Sequence, residues 1–254
     1  MTLAGIVFTL MMALVRTATL IAVFPLFSGR NLPTTVKIGL AVVLSGTWFL
    51  AGLPSADITA GEVGSWGSMT QWVMCAARET FIGGALGFGM GLFLLPMQIA
   101  GSFISQEMGL NMGTQADPTG QGPSTVVNQL FYTLGILMFF TFDLHHSVLR
   151  VLHFSFFTRP IGTEFQMPSA EILLGGLADT HSAGLLLSAP VVGALFIGLI
   201  ALLVTARTAP QLNMFSVGFP LRLAIGLVAA VVFFPEMCVL GVRAMSRLTN
   251  VAEW

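Results

Sequence analysis

The sequence has few charged residues. Asp, Glu, Lys and Arg make up only 8% of its 254 residues, and 55% are hydrophobic. An average soluble domain has about a quarter charged residues. So few charges cannot cover a surface in water, so the composition predicts an integral membrane protein or a chain buried in an apolar complex. The net charge of −1 argues against nucleic-acid binding, which requires a basic surface.

Cysteine and N-terminal basic residues are also scarce. The two cysteines, Cys75 and Cys238, lie far apart in apolar segments, which favours buried small side chains over a disulfide or a redox pair. The first charged residue is Arg16, so the N-terminus lacks the basic region of a cleaved signal peptide. We therefore expect the first helix to be retained.

Patterns typical of enzymes are missing. The sequence contains neither a nucleophile-elbow pattern nor a phosphate-binding glycine loop. His145, His146 and His153 invite a metal interpretation, but a transition-metal site would need more ligands at tight spacing, and only Asp143 is near. We therefore predict no enzymatic activity, no cofactor and no metal site.

Six apolar segments predict an all-α fold. A helix that crosses a bilayer needs about 20 apolar residues, which the third, fourth and fifth segments meet comfortably and the others only marginally. The positive-inside rule gives no orientation, because basic residues would be nearly balanced between the two sides, so these are not six simple spans. The segments run from about Leu3 to Phe27, Ile38 to Ala51, Trp72 to Gln106, Thr125 to Phe142, Ser182 to Ala206 and Leu221 to Val242.

Glycine and proline predict how these helices pack and bend. Gly83, Gly87 and Gly91 recur every four residues on one helix face, which allows the backbone of a neighbouring helix to approach closely. Prolines kink or end helices, which favours a curved assembly over a straight bundle. The prolines concerned are Pro96, Pro190, Pro220 and Pro235.

Several charges lie in or at the ends of the apolar segments. A charge in mid-bilayer costs about 2.5–3.5 kcal/mol on insertion scales, so these side chains should face helices, partner subunits or water. Arg16 follows about a dozen apolar residues, and we expect it to have an interhelical or intersubunit partner. Asp143 and Arg222 are expected at helix ends. A buried or subunit-interface position is predicted for Arg16, Glu79, Glu107 and Glu236.

A loop rich in helix breakers lies in the middle of the chain. It spans Gly109 to Ser124 between two apolar arms and contains Asp117-Pro118 and Gly122-Pro123, which cannot continue a helix. Asp117 is its only charged residue. A loop with so little charge is expected inside an assembly, where irregular backbone is tolerated if it faces protein or a water-filled passage.

The hydrophobicity of the chain falls between His153 and His181. This interval is the best candidate for an internal boundary, because polar residues and Arg159-Pro160 interrupt the apolar pattern there. The boundary would separate a four-helix part, residues 1–181, from a two-helix hairpin, residues 182–254.

Three stretches resemble the FliR family of flagellar type III export proteins, called SctT in virulence secretion systems. They are Gly101 to Pro118, Asp143 to Gly162 and Ala206 to Gly226. The third is the most specific, because its run APQLNMFSVGFPL is too long and unusual to arise by chance. The resemblance extends over essentially the whole chain.

This resemblance implies a role in the export gate. One copy would assemble with several FliP and FliQ subunits into a helical pore at the flagellar basal body in the bacterial inner membrane. FlhB, FlhA, membrane lipid and transient unfolded export substrates would be further partners. Residues 1–181 would be FliP-like and residues 182–254 FliQ-like, built from kinked, tilted helical hairpins. Such helices, raised from the membrane, would also explain the failed charge rule.

The resemblance also implies two sites. The plug that closes the pore maps onto residues 109–124, where family members often carry bulky apolar residues before Asp-Pro but this chain has Gln115 and Ala116. The plug residues would be Gly109, Met112, Gln115, Asp117, Pro118 and Gly120. The turn of the C-terminal hairpin would be shaped by Pro210, Asn213, Phe215 and Pro220.

Three alternatives remain open at this point. The chain could be a six-span transporter or ion channel that works alone, although Arg16 is then its main polar group in mid-membrane. It could also be a membrane scaffold with no gating role. Within the secretion interpretation, it could be the homologue of a virulence system.

Overall fold

The computed structural model describes residues 3–28, 32–52, 69–110, 126–161, 170–208 and 214–251. These ranges contain ten α-helices and no β-strand, which confirms the predicted all-α fold. The helices are α1 (Leu3–Val23), α2 (Pro25–Ser28), α3 (Thr34–Leu50), α4 (Met69–Gly91), α5 (Leu95–Glu107), α6 (Val126–Thr141), α7 (Leu144–Thr158), α8 (Ala170–Thr208), α9 (Met214–Val232) and α10 (Phe234–Val251).

Two of the four prolines expected to bend the chain lie at helix breaks. Pro96 is in the first turn of α5 and Pro235 in the first turn of α10, where the missing N–H group has no intrahelical partner to lose. The predicted interruptions at these two positions are confirmed. Pro190 and Pro220 lie instead inside α8 and α9, and neither helix ends there.

The apolar segments and the helices differ in their limits. The third predicted segment contains both α4 and α5, and the sixth continues from α9 into α10. Helix α8, which contains the fifth segment, begins at Ala170 rather than Ser182. It therefore runs through positions 181 and 182 without interruption. Helix α7 lies in a stretch that hydrophobicity alone did not mark as a segment. The division into FliP-like and FliQ-like parts stays a prediction.

The chain divides into two compact units. The first contains helices α1 to α4 together with α7, and the second contains α5, α6, α9, α10 and α8 from residue 174 onward. In the first unit, Phe8 of α1 meets Trp72 of α4 edge-to-face with ring centroids 4.5 Å apart. Trp48 of α3 lies beside Phe156 of α7, at 6.1 Å. Aromatic pairs at these distances add to the apolar packing of the unit.

The second unit is held together by close approaches at glycine. A side-chain carbon at Gly184 of α8 would lie 2.6 Å from the side chain of Ile99 in α5, and one at Gly198 of α8 would lie 2.5 Å from Ile225 in α9. At Gly184 a larger residue does not fit, because the nearest atoms include Cβ of Ile99; at Gly198 only the flexible Cδ1 end of Ile225 is close. The small residue at Gly184 thus sets how closely α8 approaches α5, as expected for helices packed in an apolar medium.

Helices capable of crossing a membrane are present. Gly5–Val23 in α1 and Leu174–Thr208 in α8 are long and apolar enough to do so by themselves. Three interrupted pairs, α4 with α5, α6 with α7 and α9 with α10, meet the same criterion when each pair is taken as one span. The described residues therefore offer between two and five spans, fewer than the six apolar segments of the sequence.

Candidate functional site

A buried arginine lies at the centre of the first unit. Arg16 projects from α1, and its side chain has no solvent exposure. Its Nε lies 2.5 Å from Oε2 of Glu79 in α4, whose side chain is only 4% exposed. The interhelical partner that the sequence led us to expect for Arg16 is therefore Glu79.

The same guanidinium also joins α1 to α7 and the residues after it. Nη1 of Arg16 donates to the backbone oxygen of Ser155 at 3.0 Å and to its Oγ at 3.4 Å. Nη2 donates to the backbone oxygen of Arg159 at 3.0 Å. The aromatic ring of Phe156 lies 4.6 Å from the guanidinium carbon, at a distance suited to a cation–π contact. One side chain thus connects three segments distant in sequence.

Glycines bring α4 close enough to α1 for this ion pair to form. Gly83, Gly87 and Gly91 follow Glu79 at four-residue steps, on the same face of α4. A side-chain carbon at Gly83 would collide with the backbone oxygen of Arg16, and one at Gly87 would lie 2.6 Å from the backbone oxygen of the α1 residue one turn further on. The close packing predicted from the glycine spacing is confirmed.

The other charges named from the sequence are more accessible in this chain. Glu107 ends α5 and Glu236 lies in the first turn of α10, and both side chains are exposed. Asp143 lies between α6 and α7 with its carboxylate 72% exposed. Arg222 is half-buried inside α9 rather than at a helix end. Among these charged residues, Arg16 and Glu79 are the two that the chain itself buries.

The first residues of the central loop form a defined helix end. Helix α5 closes with a Schellman motif, in which the Gly109 N–H donates to the Gln106 oxygen and the Leu110 N–H to the Ser105 oxygen, both at 3.0 Å. Gly109 adopts φ +77°, a left-handed conformation that favours glycine. Gly109 is the one predicted plug residue that the structure describes; Met112, Gln115, Asp117, Pro118 and Gly120 lie outside the described residues.

The end of α5 is packed against α9. Met108 is buried, and a side-chain carbon at Gly226 would lie 2.9 Å from its Cγ. A side-chain carbon at Gly109 would lie 3.9 Å from the ring of Phe219. Phe219 and Gly226 are seven residues apart, so they share one face of α9. This face supports the position at which the chain leaves α5 for the loop.

The two helices that flank the loop also interlock. A side-chain carbon at Gly101 of α5 would lie 2.8 Å from Cβ of Phe131 in α6, and one at Gly135 of α6 would lie 3.0 Å from Cβ of Met97 in α5. Both ends of the loop therefore leave a single, closely packed helix pair. Neither glycine was predicted from the sequence as a packing position; their only signal is their place within apolar helices.

The predicted hairpin-turn residues are distributed differently from the expectation. Pro210 and Asn213 lie outside the described residues. The backbone of Phe215 is in the first turn of α9, and Pro220 lies within that helix. Pro220 is therefore part of α9 itself and not of the connection between α8 and α9.

Long apolar helices, a buried interhelical ion pair and glycine-mediated packing define a helical membrane protein. The chain belongs to the family described as bacterial export proteins, family 1, whose profile matches residues 7–248. This match confirms the resemblance to the FliR family found in the sequence.

Similarity to proteins named FliR agrees with this assignment. The chain is similar to the flagellar biosynthetic protein FliR of Bacillus subtilis, with 30% identity over 94% of this chain and 90% of the relative. It is 32% identical to FliR of Escherichia coli K12, over 94% and 88% of the two chains. With FliR of Pectobacterium carotovorum the identity is 34%, over 87% of this chain and 82% of that one.

Proposed function

We propose that this chain is a core subunit of the flagellar type III export gate. It assembles, as one copy, with FliP and FliQ into the pore through which flagellar proteins leave the cell, and residues 109–124 plug the closed channel. Its place is the inner membrane at the flagellar basal body, next to FlhA and FlhB. Support comes from membership of the export-protein family and from similarity to proteins named FliR.

The plug assignment rests on the two helix ends that the loop connects. The loop begins at the Schellman motif of Gly109, which ends α5, and leads into α6. Helix α6 packs closely against α5 at Gly101 and Gly135. A segment anchored at both ends on one closely packed helix pair is suited to cover an opening in the closed channel. Its low charge suits a position among protein surfaces rather than in bulk water.

Assembly with other subunits is supported by the apolar surface of the isolated chain. Large hydrophobic side chains are exposed on several helices, among them Leu50 at 87%, Val126 at 82% and Val231 at 75%. Large apolar side chains exposed in this number are covered by lipid or by partner proteins in a stable assembly. FliP and FliQ, together with lipid, are the partners that we propose cover it.

Replacing residues 111–122 with a Gly/Ser segment of equal length tests the plug. We expect cells carrying this variant to leak ions, whereas the gate complex still assembles, because both helices that anchor the loop are left intact. Membrane conductance and co-purification of FliP and FliQ are measured together. A matched control replaces residues 57–68, twelve residues of the polar stretch before α4. Wild-type conductance in the 111–122 variant would show that the loop does not close the channel.

Purification tests the subunit assignment separately. Extracted in mild detergent, the chain should be recovered with two unlike partners, FliP and FliQ, in a complex that contains one copy of it. A monomer or a symmetric oligomer of this chain alone would favour a transporter working by itself. If the loop variant assembles with FliP and FliQ and its membrane conductance is unchanged, the chain would be a membrane scaffold without a gating role.

A further inference from the structure

Three metal-ligating side chains meet at the start of α7. Asp143 immediately precedes the helix, and His145 and His146 are in its first turn. Their ligand atoms all lie within 4.8 Å of one another. Oδ1 of Asp143 is 3.6 Å from Nδ1 of His146 and 3.9 Å from Nε2 of His145. The three ligand atoms therefore lie close enough to be reached by one ion, which their sequence spacing alone had not indicated.

The backbone helps to hold these residues together. Asp143 adopts φ 55° and ψ 25°, the left-handed conformation, and is the one non-glycine residue with positive φ in the described part of the chain. The N–H of His146 donates to the backbone oxygen of Asp143 at 2.9 Å. The rings of His145 and His146 lie next to each other, with centroids 4.2 Å apart. These backbone and ring contacts therefore keep the three side chains close together.

We propose that Asp143, His145 and His146 form a binding site for a divalent transition-metal ion of the Zn²⁺ type. Two imidazole nitrogens and one carboxylate oxygen are a ligand set that such ions accept, with water filling the remaining position. Tetrahedral bonds of about 2.0–2.1 Å place ligand atoms about 3.4 Å apart, so small side-chain rotations close the observed separations.

Exposure makes these rotations and the entry of the ion easy. The side chain of Asp143 is 72% exposed, that of His146 63% and that of His145 37%. In the isolated chain the ligand atoms are accessible, so an ion can reach the site and keep some of its water ligands. Once bound, it ties Asp143 to the first turn of α7 and restricts the backbone between them.

Titration calorimetry with Zn²⁺ alone tests the site on the full-length chain in detergent, without a polyhistidine tag. The background carries Cys75→Ser and Cys238→Ser, because free thiols also bind zinc. We expect one binding event that weakens by about tenfold or more in Asp143→Asn, His145→Gln or His146→Gln, since loss of even an outer-shell partner costs about 10–100-fold.

The chain offers two matched control histidines. His153, later in α7, stacks on Phe157, and His181 of α8 is exposed beside Phe103. His153→Gln and His181→Gln should bind Zn²⁺ like the background protein. The proposal is overturned if binding persists in the double variant His145→Gln/His146→Gln. It is also overturned if binding is lost in either control or needs millimolar Zn²⁺.

Chemical modification of the unsubstituted histidines gives a second readout that requires no variant. Diethyl pyrocarbonate acylates accessible imidazole nitrogens, and mass spectrometry of peptides identifies the modified residues. Zn²⁺ should protect His145 and His146 while leaving modification of His181 unchanged. Equal protection of all these histidines, or of none, would show that the ion does not occupy this site.

Discussion

Replacing Glu79 with Gln removes the carboxylate that neutralises Arg16 and leaves the guanidinium buried without a counter-charge. Breaking a buried ion pair at one partner costs about 3–5 kcal/mol of unfolding free energy, because the remaining charge cannot reach water. The amide of Gln has nearly the same shape and still accepts a hydrogen bond, and Arg16 keeps its bonds to two backbone oxygens. We therefore expect a loss near the lower limit, about 3 kcal/mol.

The measurement is the unfolding free energy of the purified chain in detergent, from a reversible denaturant titration. Glu107→Gln is the matched control, since Glu107 is exposed at the end of α5. A substitution at such a surface position should change stability by no more than about 0.5 kcal/mol. If Glu79→Gln is no more harmful than Glu107→Gln, the buried pair does not stabilise the fold as argued.

A double variant separates charge from packing. Arg16→Met together with Glu79→Met removes both charges and retains most of the side-chain volume. Exchange of a buried ion pair for apolar residues is often neutral or stabilising by about 1–4 kcal/mol, so the double variant should be more stable than Glu79→Gln. A double variant as unstable as the single one would mean that shape and hydrogen bonds to α7, rather than unbalanced charge, account for the loss.

Three further predictions concern glycines. Gly83→Ala should lower the unfolding free energy by about 1–3 kcal/mol, because its methyl group meets the α1 backbone; Gly84→Ala, whose nearest neighbour is 4.0 Å away, should be tolerated. Gly109→Ala should cost about 1–2 kcal/mol through its left-handed conformation and increase hydrogen exchange at its own amide and the next. Gly226→Val should displace Met108 and lower thermal stability, and adding Met108→Ala should restore part of it.

Each of the three glycine predictions would be contradicted by a specific result. Equal stability of Gly83→Ala and Gly84→Ala would show that α4 can move away from α1 without loss. Unchanged exchange in Gly109→Ala would mean that the end of α5 does not depend on its Schellman motif. A Gly226→Val variant that gains nothing from the added Met108→Ala substitution would place its defect elsewhere than in this contact.

Much of the first unit was predictable from the sequence. An arginine after a dozen apolar residues needs a partner, and glycines four apart mark a face where another helix approaches. Both expectations follow from side-chain chemistry that is visible in the sequence. Two further acceptors of Arg16 were not predictable, because they are the main-chain oxygens of Ser155 and Arg159. Every residue carries such an oxygen, so no residue type signals it.

The limits of the helices were harder to predict because hydrophobicity and helicity are different properties. Helix α8 begins at Ala170, before the apolar run, and passes through glycines and Asp179 that lower the hydrophobicity without breaking the backbone hydrogen bonds. Pro190 and Pro220 are accepted inside helices, as happens in apolar helices whose neighbours satisfy the freed carbonyl groups. Pro96 and Pro235 lie in the first turns of α5 and α10, where the helices are interrupted as the prolines predicted.

The ion pair has a consequence for how this protein is made. Glu79 lies 63 residues after Arg16, and the backbone acceptor at Arg159 lies 143 residues after it. At about 5–20 residues per second, the ribosome adds Glu79 roughly 3–13 seconds after Arg16 and the last acceptor later still. Until then α1 carries a charge whose final partners have not yet been added to the chain. We expect the translocon, surrounding water or lipid headgroups to shelter that guanidinium until α4 arrives, so insertion of the first helix is completed only by its successors.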